Sequence, residues 1–408
     1  MVERVLHVLT QRPGLTGSGV TLDALTHCAA AAGVEQLALV GVPADAEYAV
    51  AGLDRDRVRP LRFETGELPF PVPGMSDVMP YRSTVFSTMD AAQLAAYRNA
   101  WREHIARAIA ELRPQVIHVN HLWLVGAMVK DLAPASPVVS HCHATGLRQM
   151  SLCPHLAEEV RRGCRRNEII AVLHRGHAAQ VARMLDLPPA RLRVVGAGYR
   201  EDIFRWDDGA VRTGNILYVG KYSLSKGLTC LLDAVAELAV SRPDCVLHVV
   251  GDGAGAEADA LRARMQTMSP RVVLHGILAQ ADLARLMNRC AVCVLPSFYE
   301  GVPLVLAEAL ACGCRLVGTE LPGIRDQLAG PFAGAMALVP APRLEGVDRP
   351  RGEDLPGFVA ALTAALADAL ARPPLGDPAD ALPGALAPFA WSAVYRRLAA
   401  VWAELAAC

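Results

Sequence analysis

The sequence predicts an α/β protein made of two doubly wound parallel-sheet domains. Three observations carry that reading. At 408 residues the chain is long enough for two cores. Short apolar runs alternate with stretches at helical spacing, the pattern of parallel strands joined by helices. The alternation then restarts near Gly214, after a Gly- and Asp-rich stretch from about Val195 to Arg212 that reads as a linker. Hydrophobic content of 52% with 20% charged residues belongs to the soluble globular class. A formal net charge of −1 argues against a general attraction to nucleic acid or an anionic membrane. No apolar run is expected to reach the roughly 18 residues of a membrane span, and Met1 to His7 has no signal core, so a cytoplasmic location is expected. The 11 cysteines are scattered and read as small buried hydrophobes.

In chain order, Arg4 to Leu9 reads as a strand, Val20 to Ala32 as a helix closed by Gly33, and Gln36 to Val40 as a strand. Phe63 to Thr84 is rich in Pro, Gly, Ser and Met and reads as a long ordered loop; loops of that length are usually functional or disordered, and its apolar content favours function. Ala95 to Leu112 shows Trp101, Ile105, Ile109 and Leu112 at helical spacing. Buried strands follow at Gln115 to Val119, Pro137 to His141 and Ile169 to Leu173. In the second half, strands are expected at Ile216 to Val219, Val246 to Val250, Val272 to Leu274, Ala291 to Leu295 and Arg315 to Gly318. Helices are expected over 228–239, 255–268, 281–288 and 304–312. The expected domains are 1–195, 196–385 and a C-terminal helix within 386–408 that packs back on the first domain.

The most informative residues are Glu300, in the loop after the Ala291 strand, and Glu308, inside the helix that follows. Ligands of parallel sheets bind at such strand-to-helix loops, beside a positive helix N-terminus. Two acids there suit a ligand with an anionic middle and hydroxyls on both sides. Gly220-Lys221 and Lys226-Gly227 span another strand end and helix start, a phosphate cradle that lacks the nucleoside triphosphatase signature. Gly14-Leu-Thr-Gly17-Ser18-Gly19 follows the first strand but matches only part of the dinucleotide fingerprint, and no ribose-binding acid ends the second strand. It is either a tight turn or a close approach of backbone to substrate. His141 and His143 share a strand face, and the spacings of neighbouring Cys and His residues match no common zinc pattern, so no metal is expected. The run Arg161, Arg162, Arg165, Arg166 reads as a solvated helix face.

Together these residues resemble the retaining family-4 glycosyltransferases of the GT-B fold, in which two Rossmann-like domains face a central cleft. The family's Glu-x7-Glu pair corresponds to Glu300 and Glu308. Its Gly-Arg…Lys-Gly stretch corresponds to Gly220-Lys221 and Lys226-Gly227, and its later strand-end motifs to Gly251-Asp252-Gly253 and His275-Gly276. Val194 to Phe204 resembles its hinge and Ala390-Trp391 the start of its closing helix. The resemblance implies that Glu300 contacts the donor sugar, Glu308 the ribose, and Lys221 and Lys226 the diphosphate. It makes His143 an active-site residue facing the cleft. It implies donor contacts from Gly17, Ser18, Gly19, Gly251, Gly253, Ile277, Leu278, Val302, Pro303, Leu304 and Val305.

Two departures weaken the expected grip on the donor. Lys221 replaces an Arg and cannot form a bidentate fork, and Pro303 replaces a Gly and removes one N–H. The implied reaction retains anomeric configuration without a metal or other cofactor, a UDP- or GDP-linked sugar being the donor substrate. The acceptor is expected in the first domain near Asp77, Met79, Tyr81, Asn120, His121 and Arg148, and to be small and polar with an apolar part. Neither nucleic acid nor a membrane is an expected partner, and a homodimer is left open. Alternatives on the same fold are a nucleotide-sugar epimerase, a sugar phosphorylase, or a non-catalytic nucleotide-binding protein.

Overall fold

The computed structural model describes residues 2–76, 79–143, 145–300 and 302–407. It forms two compact units, Met1–Ala197 with Trp391–Cys408, and Gly198–Ala390. The first unit holds strands β1 (Arg4–Leu9), β2 (Glu35–Pro43), β3 (Val58–Phe63), β4 (Val116–Val119), β5 (Val138–Cys142), β6 (Ile169–Val172) and β7 (Leu192–Val194). They form one seven-stranded parallel sheet in the order β3-β2-β1-β4-β5-β6-β7. Its helices are α1 (Gly17–Ala31), α2 (Ala91–Leu112), α3 (Leu124–Leu132), α4 (Thr145–Leu152), α5 (Pro154–Cys164) and α6 (Arg175–Leu185).

Near-continuous apolar strands bury both sheet faces, as parallel sheets require. On one face, Trp101, Ile105 and Leu112 of α2 pack with Leu6, Leu37 and Phe63, and Ile109 borders them. A capping box between Asp90 and Gln93 starts this helix. The Phe63 to Thr84 segment contributes Leu68, Phe70, Val72 and Met75 to the same core, which fastens its described part despite the lack of long elements. On the other face, Leu398, Val401 and Trp402 of the C-terminal helix Trp391–Ala406 pack on Val5, Val116 and Val139.

The second unit holds β8 (Thr213–Val219), β9 (Leu247–Val250), β10 (Val272–Gly276), β11 (Cys290–Leu295), β12 (Arg315–Thr319) and β13 (Met336–Val339). The parallel order is β10-β9-β8-β11-β12-β13. Its helices are α7 (Leu228–Leu238), α8 (Ala256–Thr267), α9 (Gln280–Met287), α10 (Leu304–Ala311) and α11 (Leu355–Ala371). From Gly198 on, the segment read as a linker is packed down within this unit: Asp207 donates its N–H to Asn288 Oδ1 at 2.9 Å, and Arg212 lies 4.1 Å over the Trp206 ring.

Two expectations need correction. The stretch Gly352–Ala371 forms one 20-residue helical run with mean hydropathy 1.4, so by length and composition it could cross a membrane. Its alanines dilute the bulky residues and hide the run by eye. Phe358, Val359, Leu362 and Leu366 nevertheless sit in the sheet core with Val292, Val294 and Val317, as in a core helix. Second, Gly17 to Gly19 is not a loop before the helix but the first turn of α1, capped by Thr16, whose hydroxyl accepts the Gly19 N–H at 3.1 Å.

Each sheet has its first strand between its second and fourth. Successive connections therefore leave in opposite directions at β1/β4 and at β8/β11, opening a crevice beyond the strand ends. Helix α5 reaches its place against α3 through Gly163, where a Cβ would run into Ala127. Gly163→Ala is expected to lower stability by about 1–3 kcal/mol through overpacking, read from the urea midpoint; an unchanged midpoint would show that the helix pair yields freely.

Candidate functional site

The chemistry-bearing residues of the second unit gather at the β8/β11 reversal. Chain leaving β8 passes Gly220 and Lys221, makes a 3-10 turn at Leu224–Lys226 and enters α7 through Gly227. Gly227 has φ +67, and a Cβ there would collide with the Pro296 carbonyl at the end of β11. Only glycine lets the two loops approach this closely. The Phe298 N–H, donated to the Ser225 carbonyl at 2.8 Å, fastens them together. As a result Lys226 Nζ and Glu300 Oε1, from opposite sides of the reversal, meet at 2.5 Å with 23% and 15% of their side chains exposed.

The neighbouring strand ends are laced by backbone bonds. Gly220 donates its N–H to the Val250 carbonyl at 3.0 Å, Gly251 to the Gly276 carbonyl at 2.8 Å, and Tyr222 to the Asp252 carbonyl at 3.1 Å. Gly251, at φ +128, lies where a Cβ would strike the Gly220 carbonyl. Buried Tyr218 donates its hydroxyl to the Lys221 carbonyl at 2.8 Å, fixing that turn from beneath. Lys221 is itself half-buried and already engaged within the protein. Asp252 is occupied structurally, since Arg262 donates to it at 2.7 Å, and Gly253 packs near Ala258 and Tyr222. Ile277, just past β10, is 71% exposed, a large apolar surface at the strand ends, and Leu278 beside it is half-buried.

Helix α10 begins at Leu304, with Val302 and Pro303 buried before it. Pro303 occupies the N-cap position at φ −76. Its missing N–H therefore lies outside the first helical turn, whose Leu304 and Val305 amides remain, and the departure noted in the sequence costs little. Glu308 sits one turn further in. Some of its surface stays accessible, yet its carboxyl is enclosed by protein, and burial pushes it up to about 7. Gly301 lies outside the described residues.

The first unit has its own cluster at the β1/β4 reversal. After β1 come Thr10, Gln11 and Arg12, then the capped turn of α1. Ser18 donates to Gln11 Oε1 at 3.1 Å, and Gln11 reaches Met79 Sδ at 3.8 Å. Arg12 lies over the Tyr81 ring at 5.5 Å, and burial pushes the Tyr81 phenol up. After β4 come Asn120 and His121, buried and bearing unpartnered polar atoms. After β5 comes His143, stacked on His141 with ring centroids 4.3 Å apart. Burial holds His141 and His143 well below the usual imidazole range and takes His121 down to about 3, so all three are neutral at pH 7. Arg148 lies on α4 and is engaged within the protein. Asp77 is outside the described residues. The sequence reading paired His141 with His143 on one strand face without giving it a role, and missed Gln11; the Thr16 cap was legible as a Thr before a helix.

Among the described residues, no group of three or more His, Cys, Asp or Glu side chains is arranged to hold a metal ion.

Comparisons with known proteins agree with this layout. Residues 16–198 match the model for the family "Glycosyl transferase 4-like domain", and residues 213–345 match "Glycosyl transferases group 1". Relatives include a glycogen synthase of Mycobacterium tuberculosis, 28% identical over 63% of this chain and 61% of the relative. The chain thus spans less than two thirds of that protein. A 2-deoxystreptamine N-acetyl-D-glucosaminyltransferase of Streptomyces fradiae is 28% identical over 83% of this chain and 78% of the relative. Among solved structures, a sucrose-phosphate synthase of Thermosynechococcus elongatus aligns over 99% of both chains with TM-score 0.74 at 18% identity. HepE of Anabaena, solved with UDP and glucose, aligns over 98% of this chain and 100% of its own with TM-score 0.64 at 16% identity. These likenesses show the GT-B fold.

Glu308 generates a prediction about pH. Its folded value near 7 exceeds its unfolded value of 4.5, so the native state binds more protons between them. The contribution is fully present below the unfolded value and is lost as pH rises through about 7, by about 3 kcal/mol at most. The buried histidines act with the opposite sign, because neutral imidazoles favour the fold as pH rises. The comparison of wild type with Glu308→Gln isolates the carboxyl: the variant is expected to gain stability relative to wild type between pH 5 and pH 7.5 in urea titrations. Parallel curves would contradict burial of that group.

Proposed function

The chain belongs to the glycosyltransferases of the GT-B fold, and from that premise we propose that it transfers a hexose from a nucleotide-diphosphate sugar, UDP- or GDP-linked, to a small-molecule acceptor with retention of anomeric configuration. The observation that carries the proposal is the meeting of Lys226 and Glu300 at 2.5 Å across the strand-order reversal. A cation and a carboxylate held together at a strand-end crevice offer a diphosphate its counter-charge and a sugar hydroxyl its acceptor, side by side.

Lys226, with Lys221 and the first-turn amides of α10, would hold the diphosphate. As the bond to the sugar breaks, negative charge grows on the departing diphosphate, and fixed positive groups stabilise that growth more than they stabilise the bound donor. In this reading the lysines supply the charge that a divalent ion supplies elsewhere, so the reaction proceeds without a metal. Glu300 accepts from the sugar and exchanges its lysine partner for a substrate hydroxyl. Glu308 accepts from the ribose, Ile277 covers the base, and His143 serves the reacting sugar as a neutral imidazole. The similarity to HepE, solved with UDP and glucose, and to a 2-deoxystreptamine glycosyltransferase supports the donor class and a small acceptor.

The test is a panel of UDP-, GDP- and ADP-sugars, with release of nucleotide and thermal stabilisation followed together. Release with transfer to an acceptor supports the proposal. Stabilisation without release points to a nucleotide-binding protein, a changed sugar without transfer to an epimerase, and a requirement for inorganic phosphate to a phosphorylase. Glu300→Ala is expected to lose turnover at least tenfold while keeping its fold by circular dichroism; wild-type turnover in that variant would sink the assignment. Lys226→Ala is expected to lower kcat and to weaken binding of the nucleoside diphosphate alone, whereas Lys226→Arg restores part of both. Failure of binding to respond to either change would remove Lys226 from the phosphate site.

A further inference from the structure

We propose that Asn215, His248 and His275 form a hydrogen-bonded relay that positions the loop after Gly276 for the nucleotide base, and that acid releases this hold; the proposal rests on the donor-site reading above. The three residues lie on β8, β9 and β10 and are half-buried. They act through the backbone that follows them, so they are positioning residues.

The need for such a device comes from the strand. β10 is at the edge of its sheet and pairs only with β9. Their register slips at the end: Val249 faces Leu274, but Val250 faces Gly276, so His275 is left without an opposite residue, as in a bulge. Such a slip re-aims the chain beyond it. Here the chain re-aimed is Gly276, at φ +66, and Ile277, 71% exposed. The Gly276 carbonyl accepts the Gly251 N–H at 2.8 Å, and the His275 side chain supplies a second tie to β9.

The direction of each bond follows from the first. The Val246 N–H donates to Asn215 Oδ1 at 3.2 Å, which turns the amide nitrogen toward His248. A backbone N–H can only donate, so the rest of the relay is fixed. Asn215 Nδ2 donates to His248 Nε2 at 3.1 Å, and that nitrogen therefore carries no proton. His248 is protonated on Nδ1 and donates to His275 Nε2 at 2.9 Å, which leaves the His275 proton on Nδ1. Both rings are neutral in this pattern. A second proton on His248 would face the Asn215 amide N–H, and one on His275 would face the His248 N–H, so either breaks the relay. Burial lowers both imidazoles below their usual range, and at His248 the neighbouring His275 and Arg289, just before β11, add to that. The relay is thus whole at neutral pH and fails as pH falls.

The experiment uses the full chain with UDP and GDP as probes, in calorimetry at about pH 7.5 and about pH 5. His275→Phe keeps a ring but loses the acceptor nitrogen, whereas His275→Gln offers an amide oxygen at similar reach. For whichever nucleotide binds the wild type, His275→Phe is expected to raise Kd at least fivefold at the higher pH, and His275→Gln to stay within twofold. The gap between His275→Phe and wild type is expected to fall by at least half at the lower pH, because the wild type then loses what the variant already lacks. Taking the gap cancels the titration of the nucleotide and of Glu308. With saturating nucleotide, hydrogen exchange of His275→Phe is expected to keep protection over Gly220 to Gly227 and to lose it beyond Gly276. A Kd that does not move, a gap independent of pH, a His275→Gln no better than His275→Phe, or equal loss of protection in both segments overturns the relay and leaves the donor-site reading intact. If His275→Phe fails to fold, His248→Leu, which breaks both side-chain bonds, decides in its place. Failure of the wild type to bind either nucleotide defeats the donor-site reading itself and this inference with it.

Discussion

The structure depends on one topological constraint, the reversal of strand order in each parallel sheet. Connections leaving adjacent strands in opposite directions cannot cover the ground between them, so a crevice opens at the strand ends. In the second unit the reversal falls between β8 and β11, and the loops that border it carry Lys221, Lys226 and Glu300. In the first it falls between β1 and β4, bordered by the capped turn of α1 and by Asn120 and His121. Lys221, Lys226 and Glu300 are placed by that feature before their own chemistry matters.

The two crevices differ in electrical character, and the difference follows from their residues. The second unit's crevice presents lysines, a helix N-terminus and glycine-rich turns that let backbone come close, features that suit an anionic ligand. Glu300 does not spoil that character, because Lys226 neutralises it, and burial pushes the Glu308 carboxyl up to about 7, so that it is only partly ionised at neutral pH. The first unit's crevice sets imidazoles kept neutral by desolvation beside the guanidinium groups of Arg12 and Arg148.

Much of this was legible in the sequence. Continuous apolar runs marked the inner strands, and the strand-to-helix loops holding Glu300 and Lys226 followed from them. What escaped was set by context. Strand β3 contains Pro60 and two arginines, which argue against a strand in general but are tolerated at the sheet edge it occupies. The first turn of α1 is glycine-rich and reads as a loop until its Thr16 cap is recognised. The Lys226–Glu300 contact joins residues 74 apart and depends on the clearance at Gly227, which no local pattern reveals. The unpartnered atoms of Asn120, His121 and Gln149 are likewise a property of packing, because any of these residues could have been satisfied by a neighbour.

The central claim is that a nucleoside diphosphate occupies the β8/β11 crevice. Hydrogen–deuterium exchange of the full chain with and without UDP or GDP tests it most directly, because the backbone amides of that crevice would become ligand donors. Protection is expected in peptides covering Gly220 to Gly227 and Leu304 to Glu308, with a smaller effect beyond Gly276. Protection confined to other strand ends, or none at saturating nucleotide, would contradict the account.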